Sequence, residues 1–192
     1  MSFDRIVGQE HVKAQIGAWL SAERMPHAVL VSGPEAVGKR PLAVELAKAV
    51  NCRRGSDPCD RCSSCLKIDS LSHPDFHTLL PLPSGSAKLD SAQVLTGLRE
   101  ATLAYLQKEE PVLRNSNIAR EHIRFIHREM SYAPTEARRR IAVAFDADCM
   151  HRAGANSLLK ILEEPPKQAV FILVSAHPER LLPTVLSRTQ RL

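Results

Sequence analysis

The sequence predicts an α/β fold built on a parallel sheet, and three observations carry that prediction. Apolar runs of strand length, His27 to Gly33, Arg140 to Asp148 and Gln168 to Ala176, alternate with segments of helical spacing. The runs are apolar at successive positions, as strands covered on both faces are. The first ends in a glycine-containing loop that feeds straight into a helix. At 192 residues the chain fits one main body with any second feature grafted onto it.

Taken in order, "HAVLVSG" is the first buried strand, closed by Gly33. The helix after it, "PLAVELAKAV", sets Leu42, Leu46, Ala49 and Val50 on one face. Pro41 suits its first turn, where the missing N–H had no partner to lose. A cysteine-rich loop follows between Cys52 and Cys65. Residues 84–117 then break the strand–helix rhythm and read as an insertion. It comprises a Gly/Ser turn, an amphipathic helix "SAQVLTGLREATLAYLQKEE" with Ser91 as N-cap, and a polar loop after Pro111. A helix from about Arg120 to Tyr132 returns the chain to the sheet. "RIAVAFDAD" and "QAVFILVSA" are two more buried strands, and the helix between them, "AGANSLLKILEE", is stopped by Pro165 and Pro166.

Composition excludes several classes. With 44% hydrophobic and 24% charged residues the chain is ordinary for a soluble globular protein, and no apolar run is long enough to cross a bilayer. The start "MSFDRIVGQEHVK" has charges among its first five residues and no apolar signal core, so a cytoplasmic location is expected. A net charge of +5 is compatible with polyanion contact but weak evidence for it.

Gly33-Pro34-Glu35-Ala36-Val37-Gly38-Lys39 matches G-x-x-x-x-G-K, a loop whose backbone N–H groups cradle phosphates while the lysine reaches the terminal ones. The strand before it and the helix after it are the context the motif needs, because the helix N-terminus adds partial positive charge. The next residue should be Ser or Thr, to hold Mg²⁺ by its hydroxyl, and it is Arg40. A guanidinium cannot coordinate a cation and competes with one for the same phosphate oxygens. The other half of such a site is an acidic pair at a strand end, one carboxylate for the metal and the next for the attacking water. Asp146 fits the first role, but Ala147 stands where the second acid belongs. Asp148, two residues beyond Asp146 on an extended chain with Ala147 between them, is not expected to substitute. Two defects in one site argue that hydrolysis is lost or very slow. Nucleotide binding through Lys39 and the loop amides is left open, and ATP with Mg²⁺ is a doubtful ligand.

Cys52-x6-Cys59-x2-Cys62-x2-Cys65 gathers four thiols in a Gly/Asp/Pro/Ser-rich stretch, the pattern of a knuckle holding one structural Zn²⁺ with no open coordination position. His73 and His77 are weaker alternative ligands, since Pro74 argues against their sharing a helix. Cys149 stands apart and reads as a small buried residue.

Several stretches together carry a family resemblance: "IVGQEHV", "HAVLVSGPEAVGKR", the four-cysteine knuckle after the loop helix, "HPDFH", "DADCMHRAGANSLLKILEEPP" and "PERLLPTVLSRTQRL". In this order they resemble the N-terminal AAA+ domain of the bacterial DNA polymerase III clamp-loader subunits, most of all the delta-prime type. The resemblance covers nearly the whole chain outside residues 84–117. It implies a P-loop NTPase-type three-layer fold, and a place beside gamma/tau and delta subunits in an assembly that loads the sliding clamp on primed DNA. It also implies a stationary partner with a degraded nucleotide site. The family's Ser-Arg-Cys motif, whose arginine reaches ATP bound by the neighbouring subunit, falls here on Ser187-Arg188-Thr189. Arg188 is therefore the expected trans-acting arginine finger, with threonine in place of the family's cysteine. Ser175 falls where family ATPases carry a polar sensor near the terminal phosphate. The family's helical lid and C-terminal collar match none of the 192 residues, so the AAA+ domain alone is expected.

Two other functions compete. An ATP-hydrolysing gamma/tau-type motor should keep a hydroxyl after Lys39 and an acid after Asp146. A zinc-ribbon nucleic-acid binder should interleave aromatics with basic residues for base stacking, and aromatics make up only 4%.

Overall fold

The computed structural model describes residues 3, 6–55, 57–83, 92–108 and 116–192, without the side chains of 92–98 and 108. In chain order the elements are α1 (Glu10–Ser21), β1 (Ala28–Ser32), α2 (Lys39–Asn51), α3 (Ser63–Asp69), β2 (Phe76–Leu79), β3 (Leu82–Pro83), α4 (Ala92–Lys108), β4 (Ser116–Asn117), α5 (Arg120–Ser131), β5 (Arg140–Ala144), α6 (Arg152–Glu163), β6 (Ala169–Ser175), α7 (Pro183–Leu186) and β7 (Gln190–Arg191). Five strands pair in parallel in the order β2-β5-β6-β1-β7.

Side-chain alternation along the strands divides the core between the two faces of this sheet. Val29 and Val31 of β1, Ile141 and Val143 of β5, and Val170, Ile172 and Val174 of β6 face α1 and α2, where they meet Ile16, Leu42 and Leu46. Ala28 and Leu30, Ala142 and Ala144, and Ala169, Phe171 and Leu173 face the other way, onto Ile123 and Ile126 of α5 and Leu158 and Ile161 of α6. The result is a three-layer α/β arrangement with helices on both faces. Burying one such aliphatic side chain stabilises the fold by about 1.5–3 kcal/mol. Gly154 permits the close approach of α6: a Cβ there would meet the Ile118 carbonyl oxygen at 3.0 Å.

At the base of the segment expected as an insertion, β3 and β4 pair antiparallel through Leu82 with Asn117 and Pro83 with Ser116. Its helix is present as expected, whereas Ser91, its expected N-cap, and the turn and loop at 84–91 and 109–115 lie outside the described residues. The helix is docked on the body. Thr102 and Thr78 hydroxyls hydrogen-bond at 3.1 Å, the Arg99 Nε donates to the Ser70 carbonyl at 3.0 Å, and Leu103, Tyr105 and Leu106 pack on the core.

Two expectations are corrected. The strand expected over Arg140 to Asp148 ends at Ala144, and Ala147–Cys149 form a 3₁₀ turn, so the acids lie beyond the strand. The cysteine segment is not all loop, because its last three residues, Cys65 among them, enter α3. Arg188 stands in a short connection between α7 and the two-residue edge strand β7.

Asp75 secures the edge of the sheet. Fully buried, it accepts backbone hydrogen bonds from Thr135, Glu136 and Ala137 at 2.7–2.9 Å and faces Arg140 at 3.5 Å. Burial opposes its charge, but those amides and then Arg140 prevail and hold its carboxyl below the usual value. With a depressed folded pKa, its contribution to stability is full above pH 3.8, the ordinary aspartate value, and is lost as pH falls through the lower folded value.

Candidate functional site

The strand ends converge on one edge. β6 lies between β1 and β5 and runs level with both, pairing Ser175 with Ser32 and Leu173 with Ala144. The loop that leaves β1 and the turn that leaves β5 therefore flank the end of β6, at the carboxyl edge where open α/β sheets place their ligands. Gly38 closes the loop at φ 84°, a left-handed conformation that glycine adopts without strain, and caps α2 by accepting from the Leu42 N–H at 3.0 Å. Beneath the loop is a cavity of about 280 Å³, walled by Gly38, Lys39, Arg40, Leu106 and Asp146 among others.

Within it Lys39 donates to the Pro34 carbonyl, folding over the loop that would hold phosphates. Burial lowers its pKa, opposed by the carboxylates of Asp146 and Glu35. Arg40 turns inward: its Nη2 lies 3.4 Å from Asp146 Oδ2, and its guanidinium carbon sits 3.8 Å from the centroid of the Tyr105 ring. The Tyr105 hydroxyl donates to the same Asp146 oxygen. Asp146 is in the left-handed region, φ 45° and ψ 53°, which aspartate tolerates better than most residues. Ala147, at the position of the missing acid, is fully buried.

Asp148, not expected to substitute for the missing acid, is held by Ser175. Its carboxylate accepts from the Ser175 hydroxyl at 2.5 Å from within the 3₁₀ turn, not by strand alternation. Ser175 also accepts from the His177 N–H at 3.0 Å. Ser175 is fully buried, and its neighbours Val174 and Ala176 line the cavity in its place, so the sensor expected there is turned to Asp148.

The residues sequence pattern brought together as a metal site do meet. The Sγ atoms of Cys52, Cys59, Cys62 and Cys65 all lie within 4.8 Å of one another, and none is in a disulfide. A tetrahedral Zn²⁺ with bonds of about 2.3 Å needs sulfurs about 3.8 Å apart, which this cluster can provide. Burial opposes the Cys62 thiolate, but backbone N–H groups of Arg53 and Cys65 and the neighbouring thiols take its pKa down to about 6. His73 and His77 stand outside the cluster. His73 Nδ1 accepts from the Asp75 N–H at 3.0 Å, and burial takes His77 down to about 4 beside Arg140. Cys149, expected to be buried, is only partly so; desolvation first, and then the Asp148 and Asp146 carboxylates, raise its thiol to about 11.

Arg188 lies on another part of the surface. Its side chain is 36% exposed, its Nη2 contacts Glu163 of α6 at 2.9 Å, and its Nη1 donates to the Thr184 carbonyl at 3.0 Å. A shallow cavity bounded by Pro26, His27, Glu163 and Thr189 lies alongside it.

A family model described as "DNA polymerase III, delta subunit" matches residues 8–192. The chain belongs to this clamp-loader family. Its relatives include the DNA polymerase III subunit gamma/tau of Mycobacterium bovis, 35% identical over an alignment of 193 residues that covers 98% of this chain and 28% of that protein. The subunit delta' of Bacillus subtilis is 32% identical over 174 residues, 90% of this chain and 43% of the relative. Among solved structures, a DNA polymerase III gamma subunit-related protein from Thermotoga maritima superposes with a TM-score of 0.58 at 22% identity, over 95% of this chain and 44% of that one. The RuvB Holliday junction branch migration motor of the same organism superposes at 0.50 and 17% identity, over 98% of this chain and 45% of its own. The two superpositions speak for the fold alone. This chain spans less than half the length of each of these relatives.

Clamp-loader relatives of both the gamma/tau and the delta' kind match at similar identity, so the choice between them falls to the residues of the site. Two of those residues escaped the sequence reading. Tyr105 lies in α4, 41 residues from the Asp146 it touches. Lys48, the other, is fully buried and ties α2 to the thiol cluster: its Nζ meets Glu45 at 2.6 Å, Asp60 of the cysteine loop at 2.8 Å and Asp69 of α3 at 2.9 Å. Among the described residues no helix is long and apolar enough to cross a membrane.

Proposed function

We propose that this chain is a delta-prime-type subunit of the cytoplasmic clamp loader. It works beside gamma/tau and delta subunits to place the sliding clamp on primed DNA, and it hydrolyses no ATP at its own loop. One observation carries the reading: the guanidinium of Arg40 lies against Asp146, where an ATPase holds its magnesium. The residues present do not fit that metal. The motif's hydroxyl is absent, the carboxylate is already matched by a cation and a phenol, and buried Ala147 offers no base for water. Arg188 is the group this subunit contributes. In the separate chain it is parked on Glu163, at the surface and free to exchange that partner for the phosphates of a nucleotide on the adjoining subunit.

The gamma/tau motor reading is favoured by the 35% identity to a gamma/tau subunit and by the retained Lys39. It requires Arg40 to leave Asp146 and some other group to do the work of the missing acid. Phosphate release from ATP by the purified chain separates the two: the stationary reading expects no turnover above background, and turnover that disappears in Lys39→Ala would establish the motor.

The four thiols hold one structural Zn²⁺ in this reading, with no coordination position left for chemistry. Elemental analysis of freshly purified protein is expected to give one zinc per chain. Chelation should then release it and loosen the segment from Cys52 to Asp69 ahead of the sheet, as hydrogen exchange would report. Metal-free protein with unchanged protection in that segment would contradict the assignment.

A further inference from the structure

The inserted helix α4 reaches the nucleotide cavity with two side chains. Leu106 forms part of the wall, and Tyr105 projects to the cation position. The helix is fixed where it does this, by the Thr102–Thr78 and Arg99–Ser70 hydrogen bonds and by apolar packing of Leu103, Tyr105 and Leu106. The Tyr105 ring is braced on Phe145, centroids 5.8 Å apart, the residue just before Asp146. Arg40 covers the other face of the arrangement from α2, stacked on the ring at 3.8 Å. Both groups address one oxygen, Asp146 Oδ2. A divalent ion seeking that oxygen must displace a hydrogen-bond donor and a fixed positive charge together. Burial first, and then the hydrogen bond to Asp146, raise the Tyr105 pKa, so the phenol remains a donor at neutral pH.

We propose that Tyr105 of the insertion and Arg40 of the phosphate-loop helix form a built-in seal over the cation position at Asp146, so that the cavity takes no divalent metal and a nucleotide there gains nothing from magnesium. The seal rests on the reading of the loop as non-hydrolysing and adds a purpose for the insertion. Tyr105 is a positioning residue in it, acting through Asp146 and Arg40. The guanidinium supplies the positive charge that the metal would otherwise bring, at a fixed place and without exchange.

The test is the affinity of the full chain for a fluorescent ATP analogue, titrated once with EDTA and once with excess Mg²⁺. The wild-type protein is expected to give the same affinity in both, or no measurable binding in either. In Arg40→Ser/Tyr105→Phe, Mg²⁺ is expected to tighten binding by roughly 5- to 150-fold, the usual scale of coupling between two ligands of one protein. The serine supplies the missing metal ligand and the phenylalanine keeps the ring while removing the donor. Arg40→Ser alone, with Tyr105 still on Asp146, is expected to show a smaller gain. Thermal melting of each variant shows that it is folded, and a variant that does not fold is replaced by Tyr105→Phe with Arg40→Thr. Magnesium tightening in the wild type equal to that in the double variant would overturn the seal, as would a folded double variant with no magnesium response. Phosphate release is read in parallel. Turnover by the wild type would sink the non-hydrolysing reading, whereas a silent wild type whose binding is tightened by magnesium would sink the seal alone.

Discussion

Arg188→Ala is expected to slow ATP turnover by the reassembled clamp loader by on the order of 10³-fold or more at the site it serves, the range for an arginine supplied in trans to a phosphoryl-transfer centre. The magnitude follows from where the charge acts. An arginine at a nucleotide bound between subunits meets phosphate oxygens away from water, where a bidentate charge-assisted contact strengthens as negative charge develops. The same substitution should leave the fold nearly untouched, because in the separate chain Arg188 is a surface side chain with an exposed ion pair to Glu163 and one carbonyl contact. Such pairs contribute about 0–1 kcal/mol. Arg188→Lys should rescue little, since an ammonium has no planar fork. Single-turnover phosphate release from the assembly, beside thermal melting of the chain, checks both halves. An unchanged rate removes the finger role, and a large fall in melting temperature would make any rate loss a folding effect.

Lys48→Met is expected to destabilise the chain by about 3–5 kcal/mol, the loss typical of removing one partner from a buried ionic group. The side chain has no exposure, and its ammonium is the hub for Glu45, Asp60 and Asp69. Methionine fills the volume but leaves three carboxylates facing one another, one of them on Glu45, whose pKa burial already raises. For a domain with about 5–15 kcal/mol of total stability the loss is large. Burial opposes the Lys48 charge, but hydrogen bonds to Asp60, Glu45 and Asp69 outweigh it and raise its pKa. A raised folded pKa means that the contribution is full below the ordinary lysine value of 10.5 and is lost only as pH climbs through the higher folded one. Neutral pH is therefore the place to measure it, by urea unfolding. Asp60 lies between Cys59 and Cys62, so the variant should also release zinc more readily than wild type. A change below about 1 kcal/mol, the surface ion-pair scale, would show that the cluster is not the anchor its geometry suggests.

What the sequence made legible was what local pattern determines. β1, β5, β6, α2 and α6 are marked by apolar runs or by 3.6-residue spacing, and by Gly33, Pro41 and Pro165 at their ends. The thiols could be grouped because their spacing is itself local. α1 passed unnoticed, since its buried Ile16 is flanked by polar residues and Gly17. The edge strands β2 and β7 are too short to show a period. The end of β5 was misplaced because Phe145 is as apolar as the strand before it, and the left-handed turn at Asp146 leaves no mark in composition. The chemistry of Arg40 could be read from its position in the motif. Its pairing with Asp146, 106 residues away, and its stacking on Tyr105 belong to tertiary structure alone. Nothing in the local sequence marks Lys48, because two of its partners come from the segment packed over its helix.

The central claim is that this chain serves the clamp loader without turning over nucleotide at its own loop. The direct measurement is steady-state phosphate release from the assembly when the loop lysine of every other subunit has been replaced and this chain is left intact. The account predicts release at background, unchanged by a further Lys39→Ala here. Sustained release that disappears with Lys39→Ala would contradict it.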